Sequence, residues 1–125
     1  MPEDTFTVEV RQPFDRVAVF DIVGDVNSGS ESRLMDAYTT ATAAGASTML
    51  LNFEGMDYMN SSGIGLLVTL LVRAQRRDQQ LVAFGLDDHY REIFELTRLD
   101  EAITVHLDEA AALEAMRRGA GRGQG

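Results

Sequence analysis

The stretch that most restricts what this chain can become is Thr48–Arg77, reading TMLLNFEGMDYMNSSGIGLLVTLLVRAQRR. It opens on a short apolar run, Met49, Leu50, Leu51 and Phe53, with the density of a strand buried on both faces. From Ile64 a second apolar run is too long for a strand and ends in arginines, so it reads as a helix. Between them, Asn60-Ser61-Ser62-Gly63 sets two hydroxyls and two turn-tolerant residues at the mouth of that helix. A helix start carries unpaired N–H groups and the positive end of a macrodipole. A serine there can cap the helix, and if phosphorylated it holds its charge where the helix favours anions.

The rest of the chain arranges itself around this unit. Thr5–Arg11 alternates apolar Phe6, Val8 and Val10 with polar neighbours, the pattern of a half-buried strand. Gln12–Arg16 reads as a turn and Val17–Val23 as a second strand, joined closely enough for an antiparallel hairpin. Gly24–Gly29 reads as a polar loop, with Ser28 and Glu31 at capping-box spacing for a helix that buries Leu34, Ala37, Tyr38, Ala41 and Ala44. Gly45 stands where a helix ends. Glu54–Ser62 reads as the loop before the central helix. Gln80–Gly85 is a further strand; Asp87 or Asp88 caps a helix carrying Tyr90, Ile93, Phe94 and Thr97. Ala102–His106 is the last strand, and Asp108 opens a helix with Ala112, Leu113 and Met116 inward.

The order ββαβαβαβα predicts an α/β domain: a mixed, mostly parallel sheet of about five strands with an N-terminal antiparallel hairpin and about four helices. Residues 1–118 form the expected single domain, and the glycine-rich 119–125 a flexible tail. In such sheets partners gather at the C-terminal ends of the strands, which points to the loops at 24–29 and 54–62.

Composition narrows the function classes. A net charge of −9, with arginine as the only cationic side chain besides histidine, argues against broad nucleic-acid binding and adhesion to anionic lipid. No segment approaches the ~18 uninterrupted apolar residues of a membrane span, and the polar start lacks a signal peptide's apolar core, so a cytoplasmic location is expected. With no cysteine there is no disulfide, thiolate metal site or cysteine nucleophile. The chain has two histidines, His89 and His106, neither in a cluster with metal-ligand spacing. Serine catalysis finds little support, because Met59-Asn60-Ser61-Ser62-Gly63 lacks the Gly-x-Ser-x-Gly elbow. Gly63-x-Gly65 is too short for a nucleotide cradle and is better read as close packing of helix on strand. No cofactor or metal is expected.

The run MDYMNSSGIGLLVTLL, followed by QLVAFG and FELTRLDEAITVHLDEAAAL, resembles the STAS domain of the anti-sigma factor antagonists. The resemblance runs from Phe6 to Met116 and includes the order of the elements. It implies that Ser61, at the first serine of the family's Asp-Ser-Ser/Thr-Gly-Leu/Ile-Gly motif, is a phosphate acceptor, with Ser62 as the second candidate. Gly63, Ile64 and Gly65 match the rest of that motif, and Gly24-Asp25-Val26-Asn27 matches the family's Gly-Glu-Leu-Asp docking loop. The implied function is non-enzymatic. The unmodified protein sequesters a serine-kinase-type anti-sigma factor and frees a sigma factor; phosphorylation breaks the complex and a serine phosphatase restores it.

The surface implied for docking is Asn27, Ser28, Met59, Asn60, Ser61, Ser62, Gly63, Ile64 and Leu66, with Met56 and Met59 as soft contact residues, on a monomer or weak dimer. Two positions depart from the motif: Asn60 and Asn27 stand where the family carries Asp. An amide turns the backbone and forms hydrogen bonds as Asp does, but neither repels a phosphate nor serves as a base. The alternative reading is a STAS docking subunit of a larger assembly, a stress-sensing scaffold or lipid-transport complex, that works without phosphorylation; a nucleotide-binding or hydrolase domain ranks below both.

Overall fold

In a computed structural model, which describes residues 6–122 and side chains as far as Arg118, the elements follow the expected order. They are β1 (Thr7–Phe14), β2 (Val17–Val26), α1 (Glu31–Ala43), β3 (Thr48–Met59), α2 (Ser61–Arg76), β4 (Gln80–Phe84), α3 (Asp88–Leu96), β5 (Thr104–His106) and α4 (Glu109–Arg122). Short 3-10 turns at Ser28–Ser30 and Leu99–Glu101 precede α1 and β5. The five strands form one sheet in the order β1-β2-β3-β4-β5, with β1 antiparallel to β2 and every other pair parallel.

Alternation along the strands divides the core in two. Ala18, Phe20, Ile22, Met49, Leu51, Phe53, Leu81 and Ala83 face α1, α2 and α3. The intervening Val19, Leu50, Val82 and Phe84 face α4, where Ala112, Leu113 and Met116 meet them. The central strands are therefore apolar at successive positions because both faces are covered. Leu50, Leu51, Leu67 and Phe84 are completely buried, each contributing about 1.5–3 kcal/mol of transfer free energy. Among the described residues no helix is long and apolar enough to cross a membrane.

Several boundaries differ from the sequence reading. The turn read at Gln12–Arg16 is only Asp15-Arg16, because β1 continues to Phe14 and pairs it with Val17. A bulge between Arg11 and Phe14 and the edge position accommodate Pro13, which has no N–H to give to a ladder. Half of the loop read at Gly24–Gly29 and most of that read at Glu54–Ser62 are strand, since β2 runs to Val26 and β3 to Met59, paired to each other by bulged parallel bonding. The last strand is shorter than read and starts at Thr104, and His89 lies in the first turn of α3. Ala44 is exposed at the end of α1, followed by Gly45 at φ +92°. Helix α4 continues through Gly119 to Arg122, into the segment read as a tail; residues 123–125, like Thr5, lie outside the described residues.

One ionic cluster clamps α4 to the sheet. Arg11 on β1 pairs with Asp21 on β2 at 2.6 Å and with Glu109 at the start of α4 at 3.0 Å. Asn52 on β3 donates to the same Asp21 at 2.8 Å. The Arg11 guanidinium, helped by the Asn52 amide and opposed by partial burial, holds the Asp21 carboxyl below its ordinary range. A depressed carboxyl stabilises the fold above its unfolded-state value and loses that contribution as pH falls through its folded-state value. Asp21→Asn should therefore cost up to about 1 kcal/mol at neutral pH. The difference from the parent should shrink below about pH 4 and vanish in strong acid, as read by urea unfolding across pH.

Candidate functional site

The site is built where β2 and β3 leave the sheet side by side. Val26 and Met59 are paired in register, so Asn27 and Asn60 emerge at the same level of the sheet. Asn60 is extended, with φ −95° and ψ −174°, and its side-chain oxygen accepts from the Gly63 N–H at 3.0 Å. It is the cap of α2. The capping role that the sequence reading gave to a serine thus belongs to Asn60, because pairing with Val26 keeps Met59 in the strand and leaves the extended cap conformation to the next residue.

Asn27 repeats the device one strand over. Its side-chain oxygen accepts from Gly29 N–H at 2.9 Å, and its own N–H donates to the Ser30 hydroxyl at 3.1 Å. That hydroxyl, fully buried, donates to the Asp25 carbonyl at 3.2 Å. The capping box read at Ser28 and Glu31 is therefore Asn27 with Ser30, one position earlier, opening the 3-10 turn that leads into α1.

This arrangement leaves Ser61 and Ser62 as the first two residues of α2, both exposed. Among the described residues neither hydroxyl carries a hydrogen bond. No acid occupies the first turn of the helix. The Ser61 hydroxyl thus stands in water at the positive end of a 16-residue helix, beside two neutral amides. Each amide oxygen accepts one backbone N–H as a cap, which leaves its NH2 free to donate. His89 packs edge-to-face against Tyr90 with ring centroids 4.8 Å apart, and His106 ends β5, and neither histidine is bonded to either serine.

The remaining expected site residues divide. Ser28 is exposed on the 3-10 turn, and Ile64 is half-buried at the start of α2. Met59, Gly63 and Leu66 are buried, Met59 at 4% and Leu66 at 7% exposure. Met59 and Leu66 turn their side chains into the core beneath the exposed serines, and Gly63 lies against β2, because β3 extends to Met59 and α2 turns that side toward the sheet. Met56 is only partly buried. Tyr90 and Ser30 were not read as site residues. Tyr90 accepts the Met59 N–H on its hydroxyl at 3.0 Å and closes the end of β3 from α3. Nothing in the local sequence signals that contact, whereas the Asn27–Ser30 spacing does signal the other.

Gly63 and Gly65 answer to different demands. A Cβ at Gly63 would lie 2.5 Å from the Val26 carbonyl oxygen, whereas one at Gly65 would meet nothing within 4 Å. Gly63→Ala should then force the α2 start away from β2 and cost about 1–3 kcal/mol, while Gly65→Ala should gain up to about 1 kcal/mol of helix propensity. Asn60→Ala should lose about 1 kcal/mol with its cap, and Asn60→Asp should keep it. Chemical denaturation of the four variants tests this order.

The STAS domain pattern matches residues 7–112. The anti-sigma-B factor antagonist of Staphylococcus aureus is 26% identical over 100 residues, covering 80% of this chain and 91% of the relative. That of Listeria monocytogenes is 23% identical over 100 residues, covering 79% and 87%. Among solved structures, an anti-sigma factor antagonist from Mycobacterium paratuberculosis superposes with a TM-score of 0.76 at 19% identity, covering 90% of this chain and 94% of the other. The anti-sigma factor antagonist SpoIIAA superposes at 0.71 in its unphosphorylated form, with 16% identity and 90% and 99% coverage. Its phosphorylated form, the Bacillus cell fate determinant, superposes at 0.70, with 17% identity and 88% and 99% coverage. With the pattern spanning most of the chain and the same sheet order beneath it, this protein belongs to the STAS domain family.

Proposed function

We propose that this protein is an anti-sigma factor antagonist: a non-enzymatic module that sequesters a serine-kinase-type anti-sigma factor in the cytoplasm and is switched off by phosphorylation at Ser61. The observation that carries the reading is the state of that hydroxyl, exposed, unbonded and first in α2 of a STAS domain. The names of the staphylococcal and listerial relatives, and the existence of a phosphorylated SpoIIAA of the same fold, support it.

The chemistry asks little of this chain. A kinase supplies the base that takes the hydroxyl proton, so Asn60 and Asn27 in place of carboxylates leave the acceptor competent. The docking surface joins Asn27 and Ser28 to Asn60, Ser61, Ser62 and Ile64, over a buried support of Met59, Gly63 and Leu66. A phosphate on Ser61 brings a charge of about −1.5 to −2 into that surface. Held against a partner it loses hydration and repels any carboxylate it meets. About 2.7 kcal/mol of lost binding is a hundredfold in affinity. A serine phosphatase would return the protein to its docking state.

Incubation of the chain with candidate serine kinases and ATP tests the acceptor. Intact mass should show one added phosphate that is absent in Ser61→Ala and retained in Ser62→Ala. A partner that binds the chain tightly yet never modifies Ser61 would instead favour a phosphorylation-independent docking subunit.

A further inference from the structure

The end of β3 is held differently from the rest of the sheet. Its pairing with β4 stops at Asn52 and Phe84, so among the described residues the last part of β3 has β2 on one side and no strand on the other. On the β2 side Val26 and Met59 are in register, and the Asn60 N–H donates to the Val26 carbonyl at 3.2 Å. On the open side the Met59 N–H donates to the Tyr90 hydroxyl of α3 at 3.0 Å. A phenol oxygen thus stands where a neighbouring strand would offer a carbonyl.

The chain after β4 brings that oxygen into place. Gly85, at φ +84°, turns the backbone out of the strand direction, and a Cβ on it would lie 2.5 Å from Glu54 Cγ, so the turn is made hard against β3. Asp87 then caps α3 by accepting the Tyr90 N–H at 3.0 Å, which fixes the backbone of the residue whose side chain reaches β3. The Tyr90 side chain is buried, and among the described residues Met59 is its hydroxyl's hydrogen-bond partner. Phenylalanine would fill the same space without the need to bond a buried oxygen. What tyrosine adds at this position is the tie to Met59.

Bonds along one side of a strand make a hinge, and bonds on both sides make a mount. Held by β2 alone, the end of β3 swings about the β2–β3 ladder and carries Ser61, two residues beyond Met59, with it. We infer that Tyr90 is the positioning residue for Ser61: its hydroxyl fixes the strand end from which the acceptor hydroxyl is presented to a kinase. This rests on the reading of Ser61 as a phosphate acceptor. Transfer is sensitive to such placement, because a displacement of about 1 Å at the reacting groups costs up to about a hundredfold in rate.

Tyr90→Phe removes the oxygen and keeps the ring. Tyr38→Phe is the matched control: Tyr38 is 5% exposed against 6% for Tyr90, and its hydroxyl bonds Gln79 at 2.7 Å, beyond the far end of α2. With a serine kinase that modifies Ser61 in the parent chain, Tyr90→Phe should lower kcat about tenfold and leave KM within about twofold. Tyr38→Phe should leave both unchanged. In the isotope-labelled, unmodified full chain, the amide signals of Asn60, Ser61 and Ser62 should shift or broaden in Tyr90→Phe and stay in place in Tyr38→Phe. Equal losses of kcat in the two variants, a change in KM alone, or parent-like kcat or amide signals in Tyr90→Phe would overturn the proposal. If no kinase modifies Ser61 in the parent chain, the acceptor reading itself fails, and the amide signals alone decide whether Tyr90 fixes position 61.

Discussion

The approach of Gly63 to the carbonyl oxygen of Val26 is the contact on which the rest of the site depends. It presses the first turn of α2 against the last residue of β2, leaving no room for a Cβ. Three further bonds hold the junction closed: Asn60 N–H to the same Val26 carbonyl at 3.2 Å, the Asn60 cap to Gly63 N–H, and Met59 N–H to Tyr90. Buried backbone groups at a strand end must find partners, and here they find them in β2, α2 and α3 at once. The consequence is positional. With its neighbours pinned on both sides, Ser61 has one place to stand, and that place is in solvent.

The remainder of the fold makes that junction rigid. α1, α2 and α3 share one face of the sheet, and a buried network ties the far end of α2 to α1: the Tyr38 hydroxyl donates to Gln79 at 2.7 Å, and Gln79 donates to Thr42 at 3.0 Å. The opposite face is closed by α4 through the Arg11, Asp21 and Glu109 cluster. A site assembled at strand and helix ends needs such a scaffold, because its geometry is only as fixed as the elements that carry it.

The order of elements and both core faces were legible because apolar periodicity reports burial directly. Met49–Leu51 and Leu81–Ala83 are buried on both sides, and Leu34, Ala37 and Tyr38 recur at helical spacing. The strand ends were not legible, for a physical reason. Beyond Asn52, β3 runs past its pairing with β4 and has β2 as its one strand neighbour, so Glu54, Asp57 and Tyr58 are exposed and Gly24 and Asp25 opposite them look like a turn. Tertiary pairing, not local composition, makes them strand. The same pairing decided which of three adjacent polar residues caps α2, an outcome that no local rule separates. At the site, the sequence marked Ser61 and the paired asparagines, but could not show that Met59 and Leu66 turn inward.

The claim at the centre of this account is that one exposed hydroxyl at the head of α2 governs docking by its charge. Isothermal titration of a purified anti-sigma kinase with the unmodified chain, and then with chain carrying phosphoserine at position 61, measures it directly. The account predicts that the modified chain binds at least about a hundredfold more weakly, which is a loss of about 2.7 kcal/mol. Equal affinities for the two forms would contradict it.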